Sequence, residues 1–338
     1  MALATTMLLV SSCYEDYVKD YDYDTIYFPY QFDLRTFIAG EGMSFNVGTQ
    51  LAGVIENNKD RNVKFTLDNM LLTDDLSDLL GAESSVSAYQ ILSGASSAGK
   101  VSQAYVTTDI KAAKMKGIAA LNEEYFTLSD KSEMVIKKGA HSGTITVKAD
   151  SAAICADSKA WKPYYALGFR ITDADAKEVI KQKSFLVLVV RVENMLFGNY
   201  LHGGVTSKVG DGGQVIESQV YATAVNQTDD QICRLTSSSP YDLTTNKIGP
   251  MSGALNLHLN SDNTITVSDA TGSLDIKSYG SGSWFNNAKL LQDRKIFLNY
   301  EYDNGDGTST IVCDTLSFRN RVEDGVNVWR DLNSEHYE

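Results

Sequence analysis

Positive charge is scarce in this chain of 338 residues: 30 Lys and Arg stand against 43 Asp and Glu, a formal net charge of −13. Nucleic acids and anionic lipid surfaces are held by clustered Lys and Arg. The balance therefore argues against both as ligands and suits a chain that meets neutral or weakly charged partners. Histidine is equally sparse. His141, His202, His258 and His336 are dispersed, and none stands at metal-ligand spacing. Of the four cysteines, the three after Cys13 (Cys155, Cys233 and Cys313) are an odd number at wide intervals. That spacing builds neither a disulfide framework nor a metal knuckle. It leaves one bridge, Cys233 to Cys313, or three buried thiols, the favoured reading. No apolar stretch approaches the about 20 residues that cross a bilayer as a helix.

The signatures of catalysis are missing as well. There is no G-x-S-x-G elbow, no phosphate-cradling glycine loop between a strand and a helix, and no strand–helix alternation that would build a catalytic barrel. Asp173, Asp175 and Glu178 form the densest acidic cluster of interest, and glycoside hydrolysis needs two carboxylates across the bond. These acids read better as the start of a short capped helical turn over Asp173–Lys181. Asp303 to Gly307 (DNGDG) lacks the alternating acids and closing Glu of a calcium loop and reads as a hairpin turn. The expectation is a protein that is not an enzyme, with no cofactor and no metal.

What is present begins at the N-terminus. Leu3 to Val10 form a short apolar run, followed by Ser11, Ser12 and Cys13. An apolar segment, two small residues and a thiol resemble a bacterial lipobox, in which Cys13 is acylated and residues 1–13 form the signal and its end. Each buried lipid methylene contributes about 0.8 kcal/mol, so several chains on one cysteine hold a domain on a membrane almost permanently. Residues 14–24 (YEDYVKDYDYD) set five acids against a single Lys19. They bury too little apolar surface to offset chain ordering, so an extended tether is expected. An acidic stretch after a lipidated cysteine is also similar to the signal that places Bacteroidota lipoproteins on the outer leaflet of the outer membrane.

Beyond the tether the dominant period is two, the mark of half-buried strands. Clear runs include Met43–Val47, Val63–Leu67, Gly143–Val147, Tyr164–Ile171, Ser184–Val192, Ala254–Leu259 and Thr264–Val267. The pair Lys295–Tyr302 and Thr308–Phe318, around DNGDG, is the cleanest hairpin. Helical signal is confined to Asp74–Leu80, Asp109–Leu121 and Asp173–Lys181, and the Ser/Ala/Gly-rich Gly81–Gly99 reads as a surface insertion. Many short strands with Gly, Asn and Asp turns predict antiparallel sandwiches. The turn-forming NYLHGG marks a boundary between residues 25–195, with an insertion around 75–120, and residues 196–338.

Several segments resemble a pair of domain families of undefined function from Bacteroidota surface lipoproteins. The first also stands in front of catalytic modules in endo-β-N-acetylglucosaminidase-type glycosidases. The likeness runs through Ile26–Gly42 (IYFPYQFDLRTFIAGEG), Phe45–Phe65, Glu123–Val147, Pro163–Asp175 and Gly198–Gly204. Lys295–Tyr302 and Leu316–Asp331 are similar to the second family. The insertion is longer than the family pattern, and Asn122 stands where a proline is usual. The resemblance implies a mostly β chain: an Ig-like antiparallel β-sandwich, then a second β-rich domain, sandwich or barrel-like. It further implies a glycan-utilisation locus, with a TonB-dependent transporter and its glycan-capturing lipoprotein as partners.

Glycan binding needs an exposed aromatic ring for the apolar face of a pyranose, with amides and carboxylates nearby for its hydroxyls. The segment that best fits is Tyr279-Gly-Ser-Gly-Ser-Trp284-Phe285-Asn286-Asn287, read as a loop; Trp284 is the central candidate, beside Tyr279, Phe285, Asn286 and Asn287. The bland alternative is that Trp284 caps a core. Trp161, Tyr164 and Tyr165 read as packing at a strand entrance. Arg319, Arg321, Asp324 and Trp329 read as a structural Arg–Asp network with Trp packing. The expected function is a non-catalytic surface lipoprotein that captures glycan. A structural or adhesive, fimbria-like subunit is the second reading, and a glycosidase accessory protein or cryptic enzyme the third.

Overall fold

The computed structural model describes residues 23–73, 86–94, 104–221, 228 and 231–331. Cys13, most of the expected tether and the helix expected over Asp74–Leu80 lie outside the described residues. The first unit contains strands β1 Thr25–Tyr27, β2 Phe32–Ala39, β3 Ser44–Ala52, β4 Arg61–Leu67, β5 Ala119–Ala120, β6 Phe126–Leu128, β7 Glu133–Ile136, β8 Ser142–Ala149, β9 Tyr165–Ala174, β10 Glu178–Val179 and β11 Phe185–Asn194. One sheet runs β10–β1–β3–β8–β6 and the other β2–β11–β9–β4–β7, with β5 beside β9. Packed face to face, they make an Ig-like β-sandwich around Val47, Val147, Phe65, Phe169, Leu188 and Val190.

β11 shows why the second sheet is central. Its FLVLVV run is apolar on both faces, as in a strand covered from two sides rather than one. Leu186, Leu188 and Val190 enter the sandwich core. Phe185, Val187 and Val189 face a second core with Leu71 and Leu72 of α1 (Met70–Thr73), Ile91 and Leu92 of α2 (Ala88–Ser93), and Val106 and Ile110 of α3 (Ala104–Ala112). The described part of the segment expected as a surface insertion is thus a third layer. α2 opens on a capping box, the Ser87 hydroxyl accepting from Gln90 N–H while the Gln90 side chain accepts from Ser87 N–H. Two helix boundaries differ from expectation. Helix α3 stops at Ala112, Lys114 takes a left-handed φ of 52°, and Ala119–Ala120 pair in parallel with Tyr165–Ala166. Asp173–Lys181 is no helix: Asp173 lies in β9, and the Asp175 carboxylate accepts from Asn62 N–H at 2.9 Å.

The second unit comprises β12 Gly198–Val209, β13 Val215–Tyr221, β14 Cys233–Ser237, β15 Asp242–Thr245, β16 Lys247–Ile248, β17 Met251–Ser252, β18 Leu255–Leu259, β19 Thr264–Asp269, β20 Ile276–Ser278, β21 Ser283–Phe285, β22 Lys295–Asp303, β23 Ser309–Glu323 and β24 Val326–Val328. Antiparallel pairing passes along β12–β14–β15–β18–β19–β21–β22–β23, and β23 returns to β12 from Asn199 to Val209. The result is a closed up-and-down barrel of eight strands, just wide enough for side chains to fill. Leu235, Leu257, Ile265, Leu298, Tyr300 and Val312 fill it. NYLHGG, expected as a turn, is the first half of β12. Tyr200 and His202 are buried from this strand. Gly204 lets β23 approach, because a Cβ there would lie 2.3 Å from the Cys313 carbonyl oxygen. The three cysteines among the described residues are free. Cys233 is buried in the barrel core, whereas Cys313 alternates with the buried Val312 and Asp314 and so faces the other way. The two thiols cannot meet, and Cys155 and Cys313 are only half-buried.

A buried ion cluster joins the units. Glu41, in the turn between β2 and β3, receives Arg294 at 2.6 Å and both terminal nitrogens of Arg321 at 3.0 and 2.7 Å. The three side chains are 7%, 1% and 4% exposed. Arg294 also donates to the carbonyls of Met195, Ala288 and Lys289. Nearby, Asp324 and Gly325 both take positive φ, 52° and 78°, and turn β23 into β24 as a two-residue hairpin. Asp324 accepts from Thr36 Oγ1 at 2.9 Å and faces Arg35, while a Cβ on Gly325 would lie 2.5 Å from the Tyr105 ring. The Arg–Asp pairing expected among Arg319, Arg321 and Asp324 is replaced by other partners: Arg321 meets Glu41 and Glu323, and Asp324 meets Arg35 and Thr36 of the first unit. Trp329 does not pack into this network and is 62% exposed.

Glu41→Ala strands two buried guanidinium groups, so the variant should lose about 3–5 kcal/mol of unfolding free energy in denaturant titrations. Burial pushes the Asp324 carboxyl up to about 7 from 3.8, against the pull of Arg35. The folded chain then keeps a proton that the unfolded chain releases, so this group's contribution to stability is lost as pH rises from about 4 to about 7. Asp324→Asn should remove that component. From about pH 4 to about pH 8 the unfolding free energy should fall less, or rise more, in the variant than in the parent, and an equal change would refute the assignment.

Candidate functional site

The segment Tyr279–Asn287 divides into a turn and a strand. Gly282 N–H donates to Tyr279 O at 2.9 Å, and Gly280 and Gly282 take positive φ. Ser283–Phe285 is then β21, between β19 and β22. Alternation along a strand decides the fate of each side chain. Ser283 and Phe285 are buried, and Trp284 faces outward at 40% exposure. Across the sheet Trp284 is opposite Thr264 on one side and Phe297 on the other. The Trp284 and Phe297 rings stack 4.2 Å apart at 19°. Phe297 covers one indole face, and the residue as a whole stays 40% exposed.

The five candidate residues are therefore not one cluster. Phe285 points inward from β21 and packs in the barrel core at 7% exposure. Asn286 is committed to its own loop: its Nδ2 donates to Asp293 O at 2.7 Å and its Oδ1 accepts from Lys295 N–H at 2.9 Å. Trp284, Tyr279 and Asn287 remain open to solvent, Asn287 with a left-handed φ of 47°. Trp161 is buried, its indole N–H on the Cys155 carbonyl at 3.2 Å. Tyr164 meets Tyr165 edge-on at 4.9 Å, so this group packs at the entrance of β9, in line with the sequence reading.

A second feature has no signal in the sequence. A cleft of about 680 Å³ lies between the units. The sandwich contributes Gly40 and helix α4 (Ser151–Ala156); the barrel contributes Tyr241 and the β18–β19 turn with Asn260, Ser261 and Asn263. Asn194 closes the joint, donating from Nδ2 to the Pro240 carbonyl and from its backbone N–H to Ser237 Oγ. No residue of the lining is charged. The neighbouring cavity of about 390 Å³ is the opposite, ringed by Arg35, Glu41, Arg321, Glu323 and Asp324, whose charges pair with one another.

Residues 21–178 match a family model described as a "-like, N-terminal domain". The match spans a little under half of the chain. It ends at the first residue of β10, so the match accounts for most of the sandwich. A crystal structure of a protein of unknown function from Bacteroides ovatus superposes with a TM-score of 0.62 at 16% identity, covering 93% of this chain and 100% of that one. A multidomain protein including DUF1735, from the same organism, is more distant, with a TM-score of 0.39 at 10% identity, covering 90% of this chain and 97% of that one. The first likeness extends the shared fold across both units. No curated protein matches the chain.

If Asn286 shapes its loop rather than touching ligand, Asn286→Ala should cost about 0.5–1.5 kcal/mol of stability for the backbone hydrogen bonds it abandons. Thermal melts and ligand titrations on the same variant would separate the two roles.

Proposed function

We propose that this protein is a non-catalytic surface lipoprotein that captures glycan. The observation that carries the reading is the Trp284–Phe297 stack on the outer barrel wall. An indole left 40% exposed on a rigid strand forgoes the burial that Trp normally gains. The ring is braced by Phe297 and still partly exposed, which suits a pyranose whose C–H face packs on an aromatic. Tyr279 and Asn287, on the turns flanking β21, add an exposed ring and an exposed amide. In this reading Cys13 carries the lipid, the acidic tether spaces the two units from an outer membrane, and a TonB-dependent transporter with its glycan-capturing lipoprotein takes over the bound chain.

A structural or adhesive subunit is the second reading, and one feature favours it. β13 pairs with β12 alone among the described residues, and Val215, Ile216 and Val220 on it are all exposed. An open edge of that kind accepts a strand from another chain. Native affinity gels containing dietary and host polysaccharides test the two. Glycan capture predicts retardation by at least one polysaccharide and about tenfold weaker retention for Trp284→Ala. Absence of any retardation, with filaments visible by electron microscopy, would transfer support to the subunit reading.

A further inference from the structure

We infer that the cleft between the sandwich and the barrel is a second saccharide site, built for a stretch of uncharged glycan chain. It shares the ligand class proposed above and nothing of its location, because β21 separates the two: Trp284 faces the outer wall while Phe285, its neighbour, lines the cleft. The volume of about 680 Å³ falls within the usual range for small-molecule sites, which favour domain junctions.

The chemistry of the walls selects the ligand. Charged residues make up 22% of the chain, yet the lining has none, so nothing in it would compensate a carboxylate or sulfate moved out of water. Tyr241 stands at the barrel rim with 61% of its surface exposed and offers a ring for a sugar face. Ser261 and Asn263 project from the tight β18–β19 turn, where Asn263 holds a left-handed φ of 66° and its N–H donates to Asn260 O at 3.1 Å. Among the described residues no hydrogen-bond partner takes up the Asn263 side-chain amide, which can donate and accept toward hydroxyls. Opposite them, α4 presents Ala152 and Ala156, both exposed and both too small to obstruct a ring. An aromatic plane, an amide and a hydroxyl facing a smooth wall match the alternating apolar and hydroxylated surfaces of a pyranose.

The site is also held open. Gly40 lines the cleft, and the next residue is Glu41, which anchors Arg294 and Arg321 of the barrel. Walls from two units are fixed in relation to each other before any ligand arrives, which lowers the ordering cost of binding.

Isothermal titration calorimetry of the full chain with neutral hexasaccharides of glucose, xylose and mannose, and with oligogalacturonate and a heparin hexasaccharide, tests the site. At least one neutral hexasaccharide should bind at millimolar concentration or below, and neither anionic one should bind better. Tyr241→Ala should weaken that binding about tenfold. Ala152→Trp, from an exposed helix position that leaves the fold intact by circular dichroism, should fill the cleft and weaken it as strongly. Failure of every neutral hexasaccharide to bind, or full affinity in both cleft variants, would overturn the proposal. Loss in Trp284→Ala alone would also overturn it while leaving the outer-wall reading in place. Loss in the cleft variants alone would uphold it even if Trp284 proved irrelevant to polysaccharide retention.

Discussion

One carboxylate sets the geometry of this molecule. Glu41 sits at the tip of a sandwich turn and accepts hydrogen bonds from two barrel guanidinium groups that are themselves almost wholly out of water. Burying three charges is costly, and the cost is offset only when each is neutralised and its donors satisfied. Arg294 meets that condition with three backbone carbonyls besides Glu41, and Arg321 with Glu323. The cluster tolerates little relative motion, since a small rotation of either unit would break several charge-assisted bonds at once. Two units joined by a direct chain passage from β11 to β12 thus act as one body, with the Asp324–Gly325 hairpin seated against β2 and α3 as a second point of attachment.

Much of the strand framework is legible in the sequence. Alternation locates most of the long strands, and the DNGDG hairpin is β22 and β23. Three departures share a physical cause. NYLHGG resembles a turn because glycine usually breaks strands, yet here a glycine is required so that β12 and β23 can lie close. The segment around Trp284 resembles a loop because its flanks are Gly and Ser rich; taken as a strand, its alternation separates the outward Trp284 from the inward Phe285. The Asp173–Glu178 acids resemble a helix start, but pairing with β4 holds Asp173 in a strand. In each case a tertiary neighbour overrides a local preference.

The domain joint is legible on one side only. Arg321 and Asp324 read as part of a structural ionic network, but Glu41 is 280 positions from Arg321, and nothing near it distinguishes an ion-cluster hub from an ordinary surface charge. The cleft has the same character. Its walls come from the β2–β3 turn, α4, the end of β11 and two barrel turns, and none of these segments has a composition that points to a ligand. What identifies it is an absence visible only after folding, that of charge, in a chain where charged residues are common.

That neutral lining bears on how an acidic protein could hold sugar. A net charge of −13 creates a field that disfavours anionic chains at long range, whatever the local contacts. Uncharged polysaccharides do not feel that field, and the residues that would meet them, Tyr241 in the cleft and Trp284 on the wall, act through ring contact that salt does not screen. Each site alone is shallow, and a single stacked ring supports only weak affinity. A long chain that reaches both sites on one rigid body would convert two weak contacts into a much tighter one, because the second contact forms within the complex already made by the first. Such a gain requires a fixed spacing between the two rings, which the barrel that carries both supplies, while the Glu41 cluster holds the sandwich wall of the cleft against them.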